Sequence, residues 1–513
     1  MTSLSRRQFL GASAGLCAGL ISPLPLRAAQ PGMTLRAETR TLDIGGRAAT
    51  VMGLRNGAGG QGLTLDPGQR FQVALTNGLS ENTIVHWHGQ IPPNDQDGAP
   101  NTNPMLTPGE TRAYDFAPRP GTFWMHSHVP QQEIALLAAP LIVRRPEDLT
   151  RDRQEVTMFL HDFAFAPPEA VLAALQAPEG DHAGSGGGMS GEMSGGMRGG
   201  MAMDHGTMKM APSGSGGMGS GMGMASGMGS GAMAMGQGMT MDLNDYEFDA
   251  YLANDRTLDD PEVVAVERGG RVLLRIVNAS SMTAYWIDTG SEQARLVAVD
   301  GDPVQPVTGR RFPLAQAQRL EIELDLPKDG AALPVLALRE GSRAQTGLVL
   351  APPGARVAKL PLEAAQAAAP VANDMRLEAA LRAQVPLPDR AVTRRIMVML
   401  NGTMQPYRWT INNQVWDDHQ PILASHGDRV ELTFHNMSMM AHPMHLHGHV
   451  FQVVALGSQR LRGALRDTVL VPAMSTVTVA LDAGQAARWM MHCHHMGHLA
   501  NGMMTELSVL PTA

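Results

Sequence analysis

Three stretches of this chain repeat one pattern: Pro67 to Asn77, Gly269 to Asn278 and His426 to Asn436. Each opens on a glycine turn, continues as a strand-like run and closes on asparagine. Similar short runs, broken by Gly, Pro and Asn, fill most of the chain, with little sustained helical periodicity. A repeated supersecondary unit of this kind predicts an all-β protein of three related β-sandwich domains. The 513 residues are enough to give each domain a substantial core.

The repeat also fixes where histidines fall. Nine and eleven residues beyond Asn77 stand His86 and His88, and the same steps beyond Asn436 reach His445 and His447. Beyond Asn278 they reach Ile287 and Thr289, which carry no imidazole. Four His-x-His motifs result: His86-Trp87-His88, His126-Ser127-His128, His445-Leu446-His447 and His492-Cys493-His494. Side chains alternate along a strand, so each motif presents two imidazoles on one face, about 6.6 Å apart along the chain. Eight imidazoles in four pairs suit a cluster of several metal ions better than a single ion.

The fourth motif does more. A cysteine thiolate, two histidines and a weak axial methionine form the ligand set of a blue-copper centre. Cys493, His498 and Met503 supply three of those four groups. His492 and His494 point away from Cys493, so one short strand can serve a metal on each face. The other cysteine, Cys17, lies in the N-terminal leader, which leaves Cys493 as the single thiol of the mature chain. A lone thiol in an oxidising compartment needs protection, and copper would hold it.

With the run His442-Pro443-Met444-His445-Leu446-His447-Gly448, these motifs resemble those of the multicopper oxidases, the laccase and cuprous-oxidase family. The resemblance implies three cupredoxin-like Greek-key domains, four coppers, and a trinuclear cluster between the first and third. It implies type 1 copper on His442, Cys493, His498 and axial Met503, with type 2 copper on His86 and His445. The type 3 pair would take His88, His126, His128, His447, His492 and His494. Met504 adjoins Met503, but the ten-residue step from Cys493 favours Met503. Asp97 stands where the family places an acid near the cluster; the plainer reading of Asp97-Gly98 is a turn. Some relatives carry a glutamate directly after the type 1 histidine, and here that position is Leu499.

Ser5-Arg6-Arg7-Gln8-Phe9-Leu10 reads as a twin-arginine export signal over 1–29, predicting a periplasmic protein without a stable membrane anchor. Domains are expected at 30–148, 149–360 and 390–513, with an alanine- and proline-rich linker at 361–389. A Gly/Ser/Met-rich insertion at about 183–241 interrupts the second and is expected to be disordered. The net charge of −8 argues against a nucleic-acid partner, and a monomer is expected.

Methionine suggests the electron donor. Fifteen of the 36 lie between Met189 and Met241, including Met201-Ala202-Met203-Asp204-His205, which resembles copper-binding repeats of bacterial copper-resistance oxidases. Met437, Met439, Met440 and Met444 crowd the type 1 motif, where thioethers would favour Cu(I), although apolar packing would also account for them. The expected reaction couples oxidation of Cu(I) to reduction of dioxygen to water, with a small phenol as the alternative donor. A copper-sequestering protein without turnover is the non-enzymatic alternative, and a copper-free relative serving a structural role would be expected to lack several ligands.

Overall fold

The computed structural model describes residues 32–177, 243 and 245–512. The export signal expected over 1–29 and the Met-rich insertion expected at about 183–241, Met201 to His205 included, lie outside the described residues. The six sheets pair into three sandwiches, as the repeat predicts. The repeated strands Phe71–Asn77, Arg271–Asn278 and Arg429–Asn436 occupy equivalent places. Each runs parallel to one neighbour, respectively Met33–Ile44, Gln154–Phe163 and Arg394–Met404. Each is antiparallel to another, Thr111–Phe116, Arg319–Asp325 and Thr476–Asp482. A parallel pair cannot be closed by a hairpin, so the chain crosses between the two sheets of each sandwich.

The asparagine that closes each repeat has a physical task. Asn77 donates to the carbonyls of Glu81 and Leu106 at 2.8 and 2.9 Å and accepts the Leu79 N–H. Asn278 does the same with Thr283 O, Leu314 O and Ser280 N. Asn436 does so with Met440 O, Val471 O and Ser438 N. Each side chain thus staples the loop that leaves its strand and aims the next strand. Those next strands are Val85–His88, Tyr285–Asp288 and His442–Leu446. In the first and third sandwiches they carry histidines. In the second, Ile287 is core and the Thr289 hydroxyl bonds to Glu292 O and Arg310 O.

Cores follow the alternation. Trp87, between His86 and His88, and Met125, just before His126, face the core of the first sandwich with Phe71, Phe116 and Leu141. The second and third sandwiches share a continuous apolar core running from Val156 to Val509. Segment 361–389 runs against the second sandwich through bridges Glu340–Ala368, Ala344–Glu363 and Val304–Ala383, and buries Val371 and Leu381.

The clamp is testable where no metal complicates it. Asn278→Ala removes three buried hydrogen bonds and strands two carbonyls and the Ser280 N–H, so at the low end of ~1–3 kcal/mol per orphaned group it should cost about 3 kcal/mol or more in urea unfolding. A loss below half a kilocalorie would mean the repeat asparagine is dispensable.

Candidate metal centre

Register brings the histidine motifs together. His86 pairs with His126 across the strands Val85–His88 and Gly121–Ser127. His445 pairs with His492 across His442–Leu446 and Arg488–Cys493. These two cross-strand pairs, one from each terminal sandwich, face each other. All eight imidazoles of the four motifs are buried and lie within one cluster, with His86 stacked on His447 and His88 on His445 at 3.8 Å between centroids.

Outward hydrogen bonds set the tautomers. The Nδ1–H groups of His86, His126, His445 and His492 donate to the backbone carbonyls of Asp97, Ser127, Asp467 and Cys493 at 2.8–3.0 Å. A carbonyl can only accept, so each Nε2 carries a lone pair directed into the cluster. The Nε2 atoms of His86, His126, His445 and His494 meet no partner there, nor does His88 Nδ1. His447 Nε2 stands 3.3 Å from His128 Nε2 and 3.2 Å from His492 Nε2. Burial, then repulsion among neighbouring rings, holds His86, His88 and His445 well below the ordinary imidazole range. Neutral imidazoles with converging, unpartnered lone pairs are what a cluster of divalent or monovalent copper needs.

Three buried carboxylates each span two of these rings. Asp97 Oδ2 is 2.8 Å from His447 Nδ1, and its Oδ1 is 3.6 Å from His86. Glu133 Oε2 is 2.8 Å from His126 Nδ1, with Oε1 3.7 Å from His494. Asp467 Oδ1 is 3.1 Å from His88 Nε2 and 3.8 Å from His445. Burial pushes Asp97 up to about 8. Sequence reasoning found Asp97 and missed the other two. Glu133 sits seven residues beyond His126, and Asp467 twenty beyond His447, with no motif to mark either.

The second sandwich supplies a cation. Arg319, fully buried, pairs both ends of its guanidinium with Asp467 and also donates to Thr122 O and Asp300 O. That arginine therefore touches all three sandwiches beside the cluster.

On the other face of the Arg488–Cys493 strand, Cys493 Sγ lies 3.5 Å from His498 Nδ1 and 3.8 Å from His442 Nδ1, with the two nitrogens 3.1 Å apart. The His495 N–H donates to Sγ. Burial pushes the thiol upward, so a cation must displace its proton. Met503 is fully buried and closes on the same loop, its carbonyl accepting from Cys493 N and its N–H donating to His498 O. Met504 starts the next strand and is partly exposed. The outer nitrogens are capped: His442 Nε2 by Ser438 Oγ at 2.7 Å, His498 Nε2 by Asp245 Oδ2 at 3.2 Å. Asp245, just past the insertion, also accepts from Tyr407. Leu499 is buried in the helix Met496–Ala500, which packs against the helix Pro130–Ile134.

Three family models, each described as multicopper oxidase, match residues 36–148, 228–337 and 391–513. This chain belongs to the multicopper oxidase family, copper oxidoreductases that use oxygen. Among curated relatives, it is similar to Multicopper oxidase MmcO of Mycobacterium tuberculosis, 28% identical over 99% of this chain and 97% of that protein. Copper resistance protein A of Escherichia coli is 24% identical over 91% and 92%. Among solved structures, a multi-copper oxidase from Pseudomonas Thermotolerans superposes with a TM-score of 0.65 at 21% identity, covering 93% of this chain and 98% of that one. Three cupredoxin-like domains are thus the fold.

Buried neutral histidines make the metal-free protein acid-sensitive. His161 and His449, outside the cluster, are pushed from 6.5 to about 4 by burial. The unfolded chain therefore binds protons first, so stability is full above pH 6.5 and falls as the pH drops to about 4. Each such histidine steepens the loss by up to ~1.4 kcal/mol per pH unit. The urea midpoint of metal-free protein should fall sharply across that window; a flat profile would contradict neutral imidazoles.

Proposed function

We propose that the protein is a periplasmic cuprous oxidase serving copper tolerance, in which four coppers occupy the sites built above. In this reading His442, Cys493, His498 and Met503 hold type 1 copper, and His86 and His445 hold type 2. His88, His126 and His494 hold one type 3 copper, and His128, His447 and His492 the other. Copper, when bound, supplies one-electron chemistry at the sulfur site and the four-electron reduction of dioxygen to two waters at the histidine cluster, consuming four Cu(I) and four protons.

The chain's own part is to connect the sites. Cys493 is covalently continuous with His492 and His494, so the strand that positions the thiol also positions two cluster imidazoles. Asp97 spans His86 and His447. The backbone carbonyls behind the rings keep their outer nitrogens protonated and their inner nitrogens free.

The observation that carries Cu(I) as the substrate is the covering of the sulfur site. His442 and His498 are both 0% exposed, and Ser438 and Asp245 occupy their outer edges. A phenol has no imidazole edge to meet. Beside Ser438, Met437 and Met439 are about half exposed, and Met474, 65% exposed, donates its N–H to Ser438 O. Those thioethers form a soft entry for Cu(I) next to His442, whereas Met440 and Met444 are core. The family resemblance to copper resistance protein A supports the same reading.

Oxygen consumption by copper-loaded protein should be far faster with Cu(I) than with a phenol. Replacing Met437 and Met439 together by Leu should raise KM for Cu(I) about tenfold, or ~1.4 kcal/mol of binding, with the blue absorbance kept. Deletion of 184–241 should also weaken Cu(I) oxidation; unchanged Cu(I) turnover beside high phenol turnover would sink the capture role. Cys493→Ser should abolish blue absorbance and oxidase activity together, whereas a copper-sequestering protein would show no turnover before or after that change.

A further inference from the structure

Glu133 lies in the short helix Pro130–Ile134, and its carboxylate is 2% exposed. One oxygen accepts from His126 Nδ1 at 2.8 Å. The other lies 3.7 Å from His494 Nδ1 and has no hydrogen-bond partner, while His494 has none on either nitrogen. These two rings come from different sandwiches. With His88 they form a triad whose ring centroids are 5.0, 5.0 and 5.6 Å apart, beside a second triad of His128, His447 and His492.

The helix is well anchored for such a task. Gln132, beside Glu133, accepts from Thr83 and Ser127 hydroxyls and donates to Glu81 and to Asn82 O. The helix packs against Met496–Ala500, which follows directly on the His494 loop and turns the apolar Leu499 into the protein interior. The other two carboxylates at the cluster are committed elsewhere, Asp97 to His86 and His447, Asp467 to His88 and His445. A histidine ligand gains orientation and basicity from a carboxylate on its far nitrogen.

We infer that Glu133 is a positioning residue that clamps His126 and His494, one ring from each terminal sandwich, as ligands of a single copper. The clamp rests on the copper-cluster reading above. By taking the His126 Nδ1–H at 2.8 Å and setting its second oxygen 3.7 Å from His494 Nδ1, it directs both Nε2 lone pairs toward the same point and ties the domain interface to metal binding.

The test uses full-length, copper-loaded Glu133→Ala and Glu133→Gln. Blue absorbance, which depends on Cys493, reports that the third sandwich is intact. Two readouts follow the clamp: copper retained against a chelator series, and the fraction of Cu(II) visible by electron paramagnetic resonance. Two coupled Cu(II) ions are silent, and loss of one exposes the other. Glu133→Ala should keep its blue colour, hold the cluster copper about 10–100-fold more weakly, and convert silent copper to visible copper. Glu133→Gln keeps one acceptor oxygen but turns an N–H toward one ring, so it should fall between alanine and wild type. Silent copper in the wild type that persists unchanged, with unchanged chelator resistance, in both variants would overturn the clamp alone. Wild type without silent copper would overturn the cluster and the clamp with it. If the alanine variant does not fold, glutamine decides: wild-type chelator resistance and spin count there overturn the inference.

Discussion

Everything near the cluster depends on pinning the outer nitrogens of buried imidazoles. A ring with both nitrogens free can present either face; a ring whose Nδ1–H is fixed on a carbonyl presents only its Nε2 lone pair. Asp97 O, Ser127 O, Asp467 O and Cys493 O impose that choice on four rings. Because the backbone supplies the acceptors, the strands that create the motifs also orient them. The cost is a set of desolvated lone pairs facing one another, tolerable only when a cation takes them up or when the surrounding core is stable enough to bear it.

The second sandwich holds no metal-binding histidines in the repeat positions, yet it supports the centre. Asp162 accepts from the backbone N–H groups of Ser281 and Met282 and from the hydroxyls of Ser281 and Thr283, and Ser281 O then accepts from Met496 N, at the start of the helix that carries His498. Arg319 neutralises Asp467 while Arg466 pairs with Asp300 and Glu378. Buried charges of this kind contribute little net stability, but removing one partner leaves a costly orphan. Their effect is to hold the three sandwiches in one arrangement, because each charge has its partner in another domain or strand.

Cys493 shows why alternation matters on both faces of one strand. Its sulfur turns to His442 and His498, while the flanking rings turn to the cluster. A one-residue slip in the pairing Met444–Cys493 would exchange these faces and destroy both sites. The register is fixed by the apolar neighbours Met444, Leu446 and Met491, all buried in the shared core. At the sulfur site, Ser438 and Asp245 close the imidazole edges and leave the exposed thioethers of Met437, Met439 and Met474 nearby.

Period-two alternation and repeat spacing are local properties of the chain, so the all-β class, the three related sandwiches and the eight-histidine set with its thiol are legible in the sequence. The ten-residue step from Cys493 favours Met503 over Met504, and in the fold Met503 is buried while Met504 is partly exposed. The partners of those groups come from the folding of separate sandwiches onto one another. Glu133, Asp467, Arg319 and Asp245 stand apart in sequence from the rings or carboxylate they serve, except for the short step from His126 to Glu133, and no motif announces them. Two of the four exposed or buried methionines beside His442 turned out to be core, a distinction that spacing cannot make. The reason is common to all of these: which residues alternate is written along one strand, but which buried charge meets which ring depends on how separate sandwiches close on each other.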